Sequence, residues 1–208
     1  MNWKTAPLLA TLYDVAVQNR ALSHLGARAL WNYDIGHLHE LIAAQDPSAL
    51  TLDIPCGGGL AINNNPRHVA ADLSTTMLKR ARRKTTTLVQ ADIYNLPFPT
   101  DTFDVCLTYN GLHCLQDPPA ALRELTRVLR PGGTLQGTTV VKAAGRDPLI
   151  KLLQYQGAFG NPGTRADLRT WLETAALTNI TLTPSGAVTA FTARKTGTHH
   201  SPASAKVD

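Results

Sequence analysis

The sequence predicts an α/β domain with a doubly wound, mostly parallel sheet that ends in an antiparallel hairpin. Three observations carry that prediction. From residue 50 onward, short apolar stretches alternate with helix-period segments, the pattern of a parallel sheet covered on both faces. The first of those stretches runs straight into three consecutive glycines, Gly57-Gly58-Gly59, so a buried strand ends in a tight turn. Near the other end of the chain, two alternating stretches, 180–184 and 187–193, meet at Ser185-Gly186 as a hairpin does.

Each element follows from its own pattern. Residues 6–30 place Leu8, Leu9, Leu12, Val15 and Ala16 on one helical face, with Pro7 suited to a first turn. A second helix is expected over 34–45 from Ile35, Leu38, Leu41 and Ile42, closed by Asp46-Pro47-Ser48. Strands are expected at 50–55, 68–72, 87–91, 103–109 and 134–141. Between them, a helix over 74–84 starts from Ser74 as N-cap, and one over 118–129 starts with prolines and stops at Pro131-Gly132-Gly133. The stretch from Gly59 to Asp72 leaves room for a helix of about two turns or fewer. Residues 142–165 are rich in Gly and Pro around one short apolar helix at 148–156, and a further helix is expected over 165–176. The tail 196–208 has no apolar periodicity and is predicted to be disordered.

At 208 residues with 43% hydrophobic side chains, the chain suffices for one domain, expected over 1–195. No apolar run approaches the ~18 residues of a membrane span, and no basic segment leads an apolar signal core. The expectation is a cytoplasmic protein. Cys56, Cys106 and Cys114 are odd in number and lack ligand spacing, so they read as reduced thiols, and no metal is expected. The formal charge of +5 invites nucleic acid or a membrane surface, yet it is diffuse. Its densest run, from Lys79 to Lys84, closes a predicted helix, where cations complement the dipole.

The chemistry concentrates at Leu52-Asp53-Ile54-Pro55-Cys56-Gly57-Gly58-Gly59 and at Asp72, the acid that ends the second strand. A carboxylate there suits the two hydroxyls of a ribose. The turn lacks the lysine and hydroxyl of a phosphate-binding loop, and Asp53 at its mouth repels phosphate while attracting a cation. A ligand carrying an amino group and a sulfonium, S-adenosylmethionine, fits that charge.

On these residues the sequence resembles the class I S-adenosylmethionine-dependent methyltransferases, in particular their small-molecule, methyltransferase type 11-like group with a Rossmann-like sheet. The resemblance runs over about 50–141. It continues through Gln90-Ala91-Asp92-Ile93, Asn95-Leu96-Pro97-Phe98, Phe103-Asp104-Val105, Gly111-Leu112-His113, Leu122-Arg123-Glu124-Leu125 and Arg127-Val128-Leu129-Arg130-Pro131-Gly132-Gly133. It implies that Asp72 holds the ribose diol, that Asp92 meets the adenine amino group and that Ile93 covers the ring. It also implies that Gly57 and Gly59 shape the methionine side and that Asp53, Pro55, Leu73, Met77 and Tyr109 complete the cofactor site. Pro55 stands where the family has its first glycine. The implied layout is an N-terminal helical lid at 1–48, a cofactor core at 49–141, an acceptor-side insertion at 142–165, and a C-terminal helix and hairpin at 166–195.

The expected partner is a small methyl acceptor, hydrophobic or aromatic, because the insertion carries Leu149, Ile150, Leu152, Tyr155 and Phe159. Oxygen of a phenol or quinol is the expected acceptor atom. His113 is the candidate base, with a structural or site-lining role as its alternative. His37 and His39, and the aromatics Tyr13, Trp31 and Tyr33, either face the site or serve the helix surface and core. No nucleic-acid partner is expected, since Thr108-Tyr109-Asn110-Gly111 replaces the Asn/Asp-Pro-Pro-aromatic motif of amino-methylating enzymes of that kind. A cofactor-binding protein of the same fold without turnover, a nucleic-acid methyltransferase and a nicotinamide-dependent oxidoreductase are the alternatives.

Overall fold

A computed structural model describes residues 20–197 apart from 64 and 86, with no side chains described for 20–23. The first part of the predicted N-terminal helix, Tyr13 and the tail from 198 lie outside the described residues.

Seven strands form one sheet in the order β3-β2-β1-β4-β5-β7-β6. In chain order they are β1 Thr51–Asp53, β2 His68–Asp72, β3 Leu88–Gln90, β4 Phe103–Tyr109, β5 Leu129–Val140, β6 Leu177–Ser185 and β7 Val188–Lys195. The first five run parallel to one another, and β7 runs antiparallel to both β5 and β6. The helices are α1 Arg20–Trp31, α2 Gly36–Ala43, α3 Thr75–Ala81, α4 Pro118–Val128, α5 Asp147–Tyr155 and α6 Arg165–Thr174. No helix among the described residues is long and apolar enough to cross a membrane.

Both faces of the sheet are buried, which is why its central strands read as continuous apolar runs. On one face Leu52, Ala71, Cys106 and Leu135 meet Ala121, Leu122, Leu125 and Val128 of α4 and Leu168 and Leu172 of α6. The α4 residues recur at helical spacing and form a single stripe. Each such leucine contributes roughly 1.5–3 kcal/mol when taken fully out of water. On the other face Leu107, Tyr109, Val140 and Val188 meet Tyr33, Ile35, Leu38, Ile150 and Phe159.

Caps set the helix starts. The Ser74 hydroxyl accepts from the Met77 amide at 3.4 Å, and the Asp117 carboxylate accepts from the Ala120 amide at 3.0 Å ahead of the two prolines that open α4. The hairpin tip docks on the end of α1: the Ala187 amide donates to the Trp31 carbonyl at 2.9 Å and the Asp34 amide to the Ser185 hydroxyl at 3.1 Å.

Two elements differ from the sequence expectation. No helix forms among the described residues between β1 and β2. Turns occupy that stretch, and Asn65 takes over the backbone pairing a helix would supply, donating to the Ala49 carbonyl at 2.8 Å and accepting from the Arg67 amide at 2.8 Å. Strand β5 starts at Leu129 rather than 134, because Pro131-Gly132-Gly133 forms an irregularity within the strand: Phe103 pairs with Leu129, and pairing resumes at Val105 with Thr134.

Candidate active site at the carboxyl ends of β1, β2 and β4

The parallel strands bring their carboxyl ends to one edge, and β1 and β4 part there because the chain leaves them to opposite sides of the sheet. The turn after β1 is fastened to β2, with the Cys56 amide donating to the Ala71 carbonyl at 2.8 Å. Gly57 and Gly59 have φ of 53° and 81°, the left-handed region where side chains are disfavoured. A Cβ at Gly57 would meet nothing within 4 Å, so open space faces the turn there, whereas one at Gly59 would lie 2.6 Å from the Ile62 Cδ1 atom. Pro55 has its own counterpart. A Cβ at Gly111, just after β4, would sit 2.5 Å from the Pro55 Cδ atom, so Gly111 vacates the space the proline ring fills.

Asp72 is buried at the end of β2. Its Oδ2 accepts from the Gly57 amide at 2.9 Å and its Oδ1 from the Ser74 amide at 2.8 Å. Two amide bonds fix the plane of this carboxylate beside the open face of Gly57.

Behind the turn lies a second polar group. The Asp53 Oδ2 atom is 3.5 Å from the His68 Nε2 atom, with the side chains 2% and 1% exposed. Burial raises the Asp53 carboxyl above the usual carboxylate range, while His68 and Lys84 pull it down. Lys84 belongs to the basic run that reads as a solvated helix end, yet its ammonium donates to the Gly59 carbonyl at 2.8 Å. Tyr109, from the end of β4, has its phenol pushed up by burial, opposed by the Gln45 amide and reinforced by Asp53 and Tyr33. The Tyr33 phenol is pushed up to about 12 by burial and then by Asp34. Among the described residues the Tyr33 and Tyr109 hydroxyls, Asp53 Oδ2 and both His68 ring nitrogens have no hydrogen-bond partner.

Beyond β3, Ile93 is buried and Asp92 is exposed, its carboxylate accepting from the Tyr94 amide at 3.0 Å. Helix α4 braces this loop. Glu124 accepts from the Leu96 amide at 2.7 Å, and Arg127, 2.8 Å from Glu124, donates to the Leu96 and Phe98 carbonyls at 3.1 and 2.9 Å. Leu73 is exposed and Met77 half-buried at the start of α3, next to Asp72.

His113 stands apart from this group, against β5. Its Nδ1 accepts from the Val140 amide at 3.3 Å, its ring lies 4.4 Å from the Phe159 ring, and burial pushes its pKa down to about 3. That imidazole is neutral with Nδ1 already occupied. Phe159 also stacks on Trp31 at 5.7 Å, so the segment after β4, the insertion and α1 meet at one aromatic column. His37 is half-buried on α2, 3.6 Å from Glu40, and the His39 ring lies 6.0 Å from that of His24. Burial raises the thiols of Cys114, to about 12, and Cys106, so neither is a thiolate at neutral pH.

Residues 52–136 match the family described as a methyltransferase domain. The chain carries a class I S-adenosylmethionine-dependent methyltransferase domain. Demethylmenaquinone methyltransferase of Corynebacterium urealyticum is 32% identical over 135 residues, covering 61% of this chain and 57% of that protein. Ubiquinone/menaquinone biosynthesis C-methyltransferase UbiE of Shewanella frigidimarina is 33% identical over 142 residues, covering 61% of this chain and 54% of that protein. The chain thus spans little more than half the length of these relatives. The structure of a methyltransferase from Thermotoga maritima, described as a possible histamine N-methyltransferase, superposes with a TM-score of 0.73 at 15% identity, covering 93% of this chain and 99% of that one, a likeness of fold.

The methyltransferase domain implies S-adenosylmethionine as its cofactor, and the residues fit it. Asp72 offers an oriented carboxylate, Gly57 leaves the backbone open, and Asp53 supplies a buried acid for a cationic group. Sequence reasoning missed His68, Gln45, Gly111 and Lys84. Gly111 and Lys84 stood in quoted segments without a role of their own, and the Lys84 contact with Gly59 crosses 25 residues.

Proposed function

We propose that this chain transfers the methyl group of S-adenosylmethionine to a small, hydrophobic aromatic acceptor. The observation that supports the reading is the Asp72 carboxylate, held by the Gly57 and Ser74 amides at the mouth of the glycine turn, and in this reading it accepts from the ribose hydroxyls. The bound cofactor supplies an already activated sulfonium methyl, so the chain needs chiefly to align an acceptor, with reacting atoms about 3–3.5 Å apart.

In this reading Asp92 takes the adenine amino group, Ile93 covers the ring, and Leu73 and Met77 border the nucleoside. Gly57 and Gly59 let the backbone approach, Pro55 packs the turn against Gly111, and Asp53 and Tyr109 face the cationic end. The acceptor lies among Trp31, Tyr33, Ile150 and Phe159, an apolar and aromatic group. His113 serves as a positioning residue that holds Phe159 rather than as the base, since its Nδ1 is occupied by the Val140 amide. The sequence alone points to a phenolic oxygen as the acceptor atom. The C-methyltransferase and demethylmenaquinone methyltransferase relatives favour a ring carbon of the same kind of phenol or quinol instead, and that is the reading adopted.

Calorimetric titration with S-adenosylmethionine and S-adenosylhomocysteine tests the cofactor half. Wild type binds both, and Asp72→Ala weakens binding by about 1–3 kcal/mol, from roughly fivefold to more than a hundredfold. A wild-type protein that binds neither sinks the proposal. Incubation with methyl-labelled cofactor and a panel of phenols and naphthoquinols tests the acceptor half, with a carbon-bound label in the product as the expected result. Binding without product across the panel favours a cofactor-binding protein that lacks turnover.

A further inference from the structure

Strand β4 ends at Tyr109, and the residue after it leaves the strand conformation. Asn110 has a φ of 54°, in the left-handed region that asparagine tolerates better than most side chains. In an extended strand the residue after Tyr109 would send its side chain to the opposite face of the sheet. The bend turns it back onto β5 instead. The Asn110 amide N–H donates to the Thr138 carbonyl at 2.9 Å and to the Thr138 hydroxyl oxygen at 3.2 Å, and that hydroxyl in turn donates to Asn110 Oδ1 at 3.0 Å. Thr138 is fully buried and is the register partner of Tyr109, so it shares the sheet face of Tyr109 and Val140, which Tyr33, Ile150 and Phe159 cover. Since the backbone N–H already points at the hydroxyl oxygen, the hydroxyl proton is turned to Asn110, and the end of the amide that meets it is the oxygen. The Nδ2 group keeps two donor hydrogens without a partner among the described residues, on a half-buried side chain at the crevice between β1 and β4. Gly111, next in the chain, packs against the Pro55 ring, so the glycine turn borders the same crevice.

We propose that Asn110 determines specificity for the methyl acceptor: its Nδ2 donates to an acceptor oxygen that brings lone pairs and no proton, a ring carbonyl or a deprotonated ring hydroxyl. Thr138 is the positioning residue that fixes which end of the amide faces the crevice. This rests on the methyl-transfer reading above. The choice of end has chemical consequences. A carboxamide N–H removes no proton, so Asn110 holds the acceptor and does not act as its base. It favours a ring whose oxygen gathers negative charge, and a site built around such a bond discriminates against the analogue that lacks the oxygen. An amine nucleophile gains little there, because it needs a hydrogen-bond acceptor, and the amide oxygen that could serve is already engaged by Thr138.

The test is calorimetry on protein saturated with S-adenosylhomocysteine, using two bicyclic probes of one frame: 1-tetralone, which carries an accepting oxygen and no donor, and tetralin, which carries neither. The wild type is expected to bind 1-tetralone more tightly, by severalfold and up to about tenfold, the range of one hydrogen bond. Asn110→Gly keeps the backbone bend and Thr138→Val removes the hydroxyl at nearly the same volume. Both abolish the preference, and Thr138→Ser retains it. S-adenosylhomocysteine affinity in all three variants stays within about twofold of wild type, as for sites that share no partner. A wild type that binds S-adenosylhomocysteine but does not prefer 1-tetralone overturns the inference and leaves the cofactor reading standing, as does a preference that survives Asn110→Gly. A preference lost in Asn110→Gly but kept in Thr138→Val overturns the role of Thr138. Cofactor affinity that falls in Asn110→Gly as far as 1-tetralone affinity does means that the donor serves the cofactor, and overturns the inference as well. No binding of S-adenosylhomocysteine by the wild type overturns both readings.

Discussion

At the scale of single residues, position in the fold decides which candidates are chemical. His113 lies in a segment shared with the family and reads either as a base or as a structural, site-lining residue; its Nδ1 accepts the Val140 amide and its ring is buried against Phe159. Burial holds its pKa near 3 against an ordinary 6.5, so the sign of its contribution is fixed. Between those values the unfolded chain binds a proton there and the folded one does not, so stability rises with pH across that window. The wild type should therefore lose melting temperature steeply as pH falls from 6.5 toward 4, on the order of a few kcal/mol from this site, and His113→Gln should show a shallower slope. Equal slopes in thermal melts of the two proteins would count against that assignment. Asp72 was legible because a strand-end acid after a glycine turn is a local pattern. The Asp53–His68 couple was not, because strand register alone brings those residues together.

At the scale of elements, periodicity and caps located most of the helices and strands, and each miss has its own local cause. Side chains that bond to the backbone made the difference between β1 and β2, where asparagines sustain turns in place of a helix. In β5 the Pro131-Gly132-Gly133 segment reads as a stop, but its φ of 75° at Gly132 is absorbed within the strand. The hairpin turn at Ser185-Gly186 was legible as a turn, although its second role was not. Gly186, at φ 56°, abuts the Trp31 and Asn32 carbonyls, so a Cβ there collides with backbone in a conformation that already disfavours it. Gly186→Ala is expected to cost on the order of 3 kcal/mol and to loosen the docking of α1 on the sheet. Chemical denaturation measures the first effect, and amide exchange at Ala187, which donates to the Trp31 carbonyl, reports the second. A variant as stable as wild type would show that this contact yields without strain.

At the scale of the whole molecule, the sheet divides the proposed labour between its two halves. The nucleoside-side residues come from β1, β2, β3 and the start of α3, while the aromatic column comes from α1, the segment after β4 and the insertion. Exposed cations lie on α1, α4, α5, α6 and β7, as Arg28, Arg123, Lys151, Arg169 and Arg194, and gather at the end of α3 and just after it, as Lys79, Arg82, Arg83 and Lys84. The division makes the two sites separable by mutation. Phe159→Ala removes the ring that touches both Trp31 and His113, and it lies outside the group around Asp53 and Asp72. It should leave S-adenosylhomocysteine affinity within about twofold of wild type while raising KM for an aromatic acceptor roughly tenfold, as expected for losing an aromatic contact of 0.5–1.5 kcal/mol together with its buried area. Steady-state kinetics beside calorimetry on the same preparation separates the cases. A fall in cofactor affinity equal to the rise in KM would mean that the column supports the glycine turn rather than the acceptor, and the acceptor site would then have to lie elsewhere on the sheet edge.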